Sequence, residues 1–142
     1  MIFIHTSVRL FHQLITLYRP FERQLNIQLN KHHLHRAQWT ILYHLYNFGP
    51  ATNGEISYYQ GVEKPTITRT LASLEKLGYV VQTVGKDRRE KRMQITKLGQ
   101  DIYEHVRVSV DELEKEILTG ISEEEQLEII RIMEIMRNNI RK

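Results

Sequence analysis

A chain of 142 residues with 41% apolar content is long enough for one solid core and too hydrophobic to remain unfolded. It contains no cysteine, which excludes disulfides, thiolate metal sites and thiol-based redox sensing. A formal net charge of +3 is too small to identify a partner by itself. The start, Met1-Ile2-Phe3-Ile4-His5, is apolar but has no charged leading region or small-residue cleavage site, and Arg9 and His12 interrupt it, so it does not read as a signal peptide. No run approaches the ~20 apolar residues of a membrane span. The expectation is a soluble, cytoplasmic protein.

From Ser7 to about Leu29, Val8, Phe11, Leu14, Ile15, Tyr18, Leu25 and Leu29 recur at roughly helical spacing, with Pro20 expected to kink or restart the helix. A second helix, from about Arg36 to Phe48, carries Trp39, Ile41, Leu42 and Leu45 and stops at Gly49-Pro50. Thr52-Asn53-Gly54-Glu55 has the spacing of a capping box and opens a short helix to about Gln60, which Gly61 ends. Lys64-Pro65 opens a further helix through Leu77, where proline in the first turn loses no amide partner; Gly78 terminates it. Its apolar stripe is Ile67, Leu71 and Leu74, while Thr66, Thr68, Arg69, Ser73 and Lys76 fall mostly on the other face. Two short helices around a glycine turn form a helix-turn-helix.

After Gly78 the period changes. Tyr79 to Val84 is rich in β-branched residues and Arg92 to Ile95 alternates, so both read as strands, joined by an exposed charged hairpin from Gly85 to Glu90. This hairpin is a wing. Thr96-Lys97-Leu98-Gly99 leads into a long helix bearing Ile102, Tyr103, Val106, Val110, Leu113 and Ile117, and Gly120 punctuates it. Ser122-Glu123-Glu124-Glu125 is a second capping box, with three acids suited to the helix dipole. In the last helix Leu127, Ile129, Ile130, Ile132, Met133, Ile135, Met136 and Ile140 cover more than one face, which one small domain cannot bury. A dimer interface resolves this, with the N-terminal helix and its Phe3, Phe11, Tyr18 and Phe21 as companion. Charge follows the same division: Lys64 to Lys97 holds nine basic residues against three acids, net +6, and Asp101 to Glu128 ten acids against two bases, net −8. A basic middle and an acidic tail suit a protein that turns one surface to a polyanion and keeps another away.

The run from Gly61 through Lys64-Pro65-Thr66-Ile67-Thr68-Arg69 to Gly78-Tyr79-Val80 closely resembles the recognition-helix signature of the MarR family. Asp87-Arg88-Arg89, followed by Ile95-Thr96-Lys97-Leu98-Gly99, resembles that family's wing signature and the start of its long fifth helix, so the resemblance covers essentially the whole chain. It implies a mostly α fold with a small β wing, a winged helix-turn-helix flanked by N- and C-terminal dimerisation helices. One domain, 1–142, is expected, with dimerisation helices at about 1–33 and 100–142 and the winged lobe at about 36–99. The implied function is a homodimeric transcription regulator, more often repressor than activator, on a pseudo-palindromic operator in double-stranded DNA, responsive to a small-molecule effector. Glu63 is a departure: as a helix cap it is weaker than the hydroxyl or shorter acid usual there.

A recognition helix enters the major groove by its N-terminal half. Lys64, Pro65, Thr66, Thr68, Arg69, Ser73 and Lys76 are the candidates on it; Arg69 is best suited to bidentate guanine reading. In the wing the candidates are Lys86, Asp87, Arg88, Arg89 and Lys91. The resemblance makes Arg89 the minor-groove arginine, held by an ion pair to Asp87; narrow minor grooves concentrate negative potential. In the family effectors often bind between the dimer helices and the winged lobe, a cleft whose candidate lining here is His12, Tyr18, Trp39 and Tyr43; these aromatics suit a core equally well, and core is the preferred reading of Trp39. His32-His33-Leu34-His35 invites a metal reading, but it falls between helices, and the spacing fixes neither Glu22 nor His105 near it. No metal or cofactor is expected. No nucleophile elbow, phosphate loop, HExxH or paired-carboxylate arrangement appears, so no enzyme is expected. The rival reading, a winged helix used for protein docking, is opposed by the Lys/Arg-rich wing.

Overall fold

The computed structural model describes residues 4–84 and 90–141; the wing-tip candidates Lys86, Asp87, Arg88 and Arg89 lie outside them. Two compact units are present, Met1–Val110 and Asp111–Lys142. In the first, α1 (Thr6–Asn30) runs through Pro20 without a break, so the proline does not restart the helix. Leu25 and Leu29 anchor its C-terminal end, whereas every residue from Ile4 to Pro20 is exposed. A turn containing buried Leu34 and His33 at positive φ leads into α2 (Arg36–Phe48). Gly49, at φ 84°, closes α2.

β1 (Ala51–Thr52) precedes α3 (Asn53–Gln60) and α4 (Lys64–Lys76), followed by β2 (Val80–Val84), β3 (Lys91–Ile95) and α5 (Lys97–Ile117). The described strands form an antiparallel sheet ordered β1-β3-β2. Val80 pairs with Ile95 and Val84 with Lys91, while Ala51 and Thr52 pair with Met93 and Arg92. Along β3 the pleat buries Met93 and Ile95 and turns Gln94 outward, while Lys91, in phase with the buried pair, is exposed at the start of the strand. Sequence periodicity does not reveal β1, because two residues are too few to show alternation.

The core joins Leu29, Leu34, Ile41, Leu42, Leu45, Ile56, Leu74 and Val106, all essentially inaccessible. Trp39 stacks on Tyr103 at 4.7 Å between ring centres, and Tyr103 on Tyr46 at 4.4 Å. At the sheet's exit Thr96 donates its hydroxyl to the Gly78 carbonyl and accepts from the Gly99 amide, capping α5. Gly99 packs so closely that a Cβ there would sit 2.1 Å from the Tyr79 carbonyl oxygen. The Thr96-to-Gly99 stretch thus fastens a helix start onto the last residues before the wing.

In the second unit Gly120 (φ 86°) separates the end of α5 from α6 (Glu123–Ile140). Ser122 accepts from the Glu125 amide and Glu125 accepts from the Ser122 amide, completing the expected capping box. Those hydrogen bonds hold the Glu125 carboxyl below its ordinary value. No residue of α6 is buried in the single chain. Among the described residues no helix is long and apolar enough to cross a membrane.

Candidate nucleic-acid interface

Thr52 caps α3 by accepting from the Glu55 amide at 3.1 Å. The second half of the expected box is replaced: the Glu55 carboxylate lies 3.4 Å from Arg92 Nη2 on β3. Gly61, left-handed at φ 65°, ψ 34°, turns the chain from α3 to α4. α4 opens at Lys64-Pro65 after Glu63, whose side chain makes no capping bond; the Glu63 carbonyl accepts from the Thr66 and Ile67 amides. The weak cap expected at Glu63 is what the structure contains.

Ile67, Leu71 and Leu74 are buried as expected, joined by Thr70, whose hydroxyl donates to the Thr66 carbonyl. Off the stripe Pro65, Thr68, Arg69 and Lys76 are exposed and Thr66 is half-buried, while Lys64 is exposed at the helix start. The Lys64 stem passes beside Gly54, where a Cβ would make ordinary van der Waals contact at 3.8 Å from Lys64 Cε. Arg69 Nη2 donates to Thr66 Oγ1 at 3.4 Å, holding the guanidinium along the helix. Two of the hydroxyls are engaged within the lobe. Thr68 donates to the Lys64 carbonyl and accepts from Asn53 of α3, tying the two helices together. Ser73 donates to the Thr70 carbonyl and accepts from buried Gln38 of α2, while Gln38 Oε1 also accepts from the His35 amide.

Lys91 is exposed at the base of the wing. Beside it Arg92 is half-buried and reaches three segments: Nη2 lies 2.5 Å from Glu90 and 3.4 Å from Glu55, and Nη1 donates to the Pro50 carbonyl at 3.4 Å. Sequence reading treats Arg92 as one more basic strand residue, because its carboxylate partner Glu55 lies on a distant helix.

The four candidate effector residues divide. Trp39 belongs to the core, whereas His12, Tyr18 and Tyr43 are exposed. The histidine run also separates. His32 sets its ring edge-on to His105 at 5.1 Å, and burial, then the neighbouring His105, Lys31 and His33, lower its pKa. Glu22 pairs with Arg36 at 2.9 Å. Among the described residues no group of three or more potential ligands is gathered for a metal ion. His44 is buried against Phe48 and Tyr59, its Nδ1 without a hydrogen-bond partner; burial lowers its pKa and Glu55 acts in the opposite direction.

Residues 32–90 match the model of the MarR family. Over 122 residues the chain is 38% identical to the HTH-type transcriptional regulator YwoH of Bacillus subtilis, covering 86% of this chain and 89% of that protein. The chain belongs to the MarR family. Among MarR-family structures, Staphylococcus aureus MarR in complex with salicylate and kanamycin superposes with a TM-score of 0.80 at 30% identity, over 94% of this chain and 91% of that one. BldR of Sulfolobus solfataricus, at 22% identity and a TM-score of 0.83 over 97% and 99% of the two chains, shares the fold. The MarR assignment makes the chain a DNA-binding transcriptional regulator, and its fold is the winged helix-turn-helix expected.

Proposed function

We propose that this MarR-family chain is a homodimeric repressor that sets two winged lobes on a pseudo-palindromic operator in double-stranded DNA and is released by a small-molecule effector. The observation that carries the proposal is the division of α4: a buried Ile67-Leu71-Leu74 stripe fixes the helix, Arg69 and Lys76 stand on the side away from the core, and Lys64 is exposed at the helix start. Arg69 then reads a guanine, Lys64 and Lys76 meet phosphates, and Thr66 and Pro65 lie at the entering end of the helix. The bonded hydroxyls of Thr68 and Ser73 place them as residues that fix the helix as it enters the groove. In the wing Lys86, Arg88, Arg89 and Lys91 contact DNA, with Arg89 in the minor groove and Asp87 orienting it.

In this reading residues 36–99 form the DNA lobe, while 1–33 and 100–142 form the dimerisation helices. The exposed apolar rows of α1 and α6 support it, since both need a cover that a second copy supplies. The effector binds beside the α1 residues His12 and Tyr18, with Tyr43 of α2; the salicylate complex of S. aureus MarR supports an effector of small aromatic acid type. The effector acts by binding DNA-competent and incompetent arrangements with different affinity.

The test begins with a duplex that the purified protein selects from a random-sequence pool. Arg89→Ala is expected to weaken binding to that duplex at least tenfold, with helicity and sedimentation unchanged. Failure to enrich any duplex would remove the DNA-reading proposal, and unchanged affinity of the variant would remove the role given to Arg89.

A further inference from the structure

We propose that Arg92 is a positioning residue for the wing, acting through Glu55 and Glu90 rather than by touching DNA. The proposal rests on the winged lobe being the DNA-reading element. Arg92 stands in the central strand of the described sheet, paired with Thr52 of β1 on one side and Thr83 of β2 on the other. Its guanidinium spans three separate pieces of backbone. It meets Glu55 in the first turn of α3, the Pro50 carbonyl before β1, and Glu90 at the edge of the wing. The first two belong to the approach to the helix-turn-helix; the third follows directly on Arg89 in sequence. One planar fork therefore links the hairpin to α3, the helix before the recognition helix, and to the segment before β1. The Thr83 hydroxyl also donates to the Arg92 carbonyl, joining the same residue to the opposite strand of the hairpin.

Two carboxylates beside one guanidinium argue against a phosphate contact. Glu55 and Glu90 both place negative charge where a phosphate would have to approach, and Arg92 is only about one-third exposed at its side chain. A guanidinium suits the positioning role because its donors lie in a fixed plane and address several acceptors at once, which a lysine ammonium does not reproduce. The carboxylates keep their place despite lying in a basic lobe, and that placement is what a purely electrostatic DNA surface would avoid.

This gives opposite signs for the two explanations of Glu55. If charge alone matters, removing an acid from a DNA-facing lobe strengthens binding; if Glu55 holds Arg92 and the wing, removing it weakens binding. The experiment uses the full-length protein and the duplex it selects from a random pool, with wild type, Glu55→Ala, Arg92→Lys, the double variant, and Arg89→Ala as reference. Thermal unfolding of each variant confirms the folded state before titration. The expected result is a threefold or greater loss for Glu55→Ala, a comparable or larger loss for Arg92→Lys, and a double variant no weaker than Arg92→Lys alone, because both act through one linkage. Binding by Glu55→Ala equal to or tighter than wild type overturns the proposal, as does full affinity in Arg92→Lys, which would mark Arg92 as a simple positive charge. Loss in Arg89→Ala with no loss in Glu55→Ala rejects the positioning role and retains the wing. No loss in Arg89→Ala removes the assumed wing contact, and a loss in Glu55→Ala alongside it would mean that Glu55 does not act through the wing, which also overturns the proposal.

Discussion

Gly99 shows how little space a single residue has where the wing meets α5. A methyl group there would lie 2.1 Å from the Tyr79 carbonyl oxygen and 2.8 Å from Ile95 Cγ1, and the nearest atom is backbone that Thr96 already hydrogen-bonds. Gly99→Ala is therefore expected to destabilise the fold by about 3 kcal/mol, at the upper end of overpacking costs; an unchanged urea midpoint would show that the strand and helix can separate freely. His44 carries a different constraint. Burial favours its neutral form, so the unfolded chain binds a proton more readily than the fold does. Stability is thus complete above the ordinary histidine value of 6.5 and declines as the pH falls below it. His32, lowered in the same direction, adds to the slope. In His44→Phe, which keeps a ring against Phe48 and Tyr59, the loss of urea stability between about pH 7.5 and 5.5 should shrink; an identical loss in both proteins would assign the slope elsewhere.

Among the elements, the two predicted capping boxes had different outcomes for one reason. At α6 both partners are local and the box is complete. At α3 the cap from Thr52 forms, but Glu55 is drawn to Arg92, a residue adjacent only after β3 has paired with β1. A capping box is legible because it needs only a three-residue spacing; its competitor is invisible until the sheet forms. Thr52→Ala should cost about 1 kcal/mol of stability through the lost cap. Chemical denaturation reads this directly, and a change below a few tenths of that would mean that β1 rather than the hydroxyl holds the start of α3. The uninterrupted α1 has a similar lesson. Pro20 lowers local helix propensity, yet it does not decide where a helix ends when tertiary contacts anchor Leu25 and Leu29 beyond it.

For the molecule as a whole, the exposed apolar rows of α1 and α6 bear on assembly. Leu14 is 44% exposed and Ile132 39% exposed in the single chain. If both rows are dimer surfaces, Leu14→Glu and Ile132→Glu each shift sedimentation to the monomer and abolish tight binding to the selected duplex, since burying a charge without a partner is costly. A variant that stays dimeric would exclude its helix from the interface. Affinity of the intact dimer should also fall about a thousandfold between roughly 50 and 200 mM salt if six or so phosphates are neutralised.

The order of the helices and of the two wing strands, the glycine turns, the buried stripe of α4 and the family were legible in the sequence alone, though β1 was not, because periodicity, caps and short motifs are local properties of the chain. Tertiary structure decided which groups share a site. It separated Trp39 from His12, Tyr18 and Tyr43 by burial, brought His32 to His105, engaged Thr68 and Ser73 in bonds to Asn53 and Gln38, and gathered Glu55, Glu90 and the Pro50 carbonyl around Arg92. Those neighbours are set by strand pairing and helix packing between distant segments, which no spacing along the chain encodes.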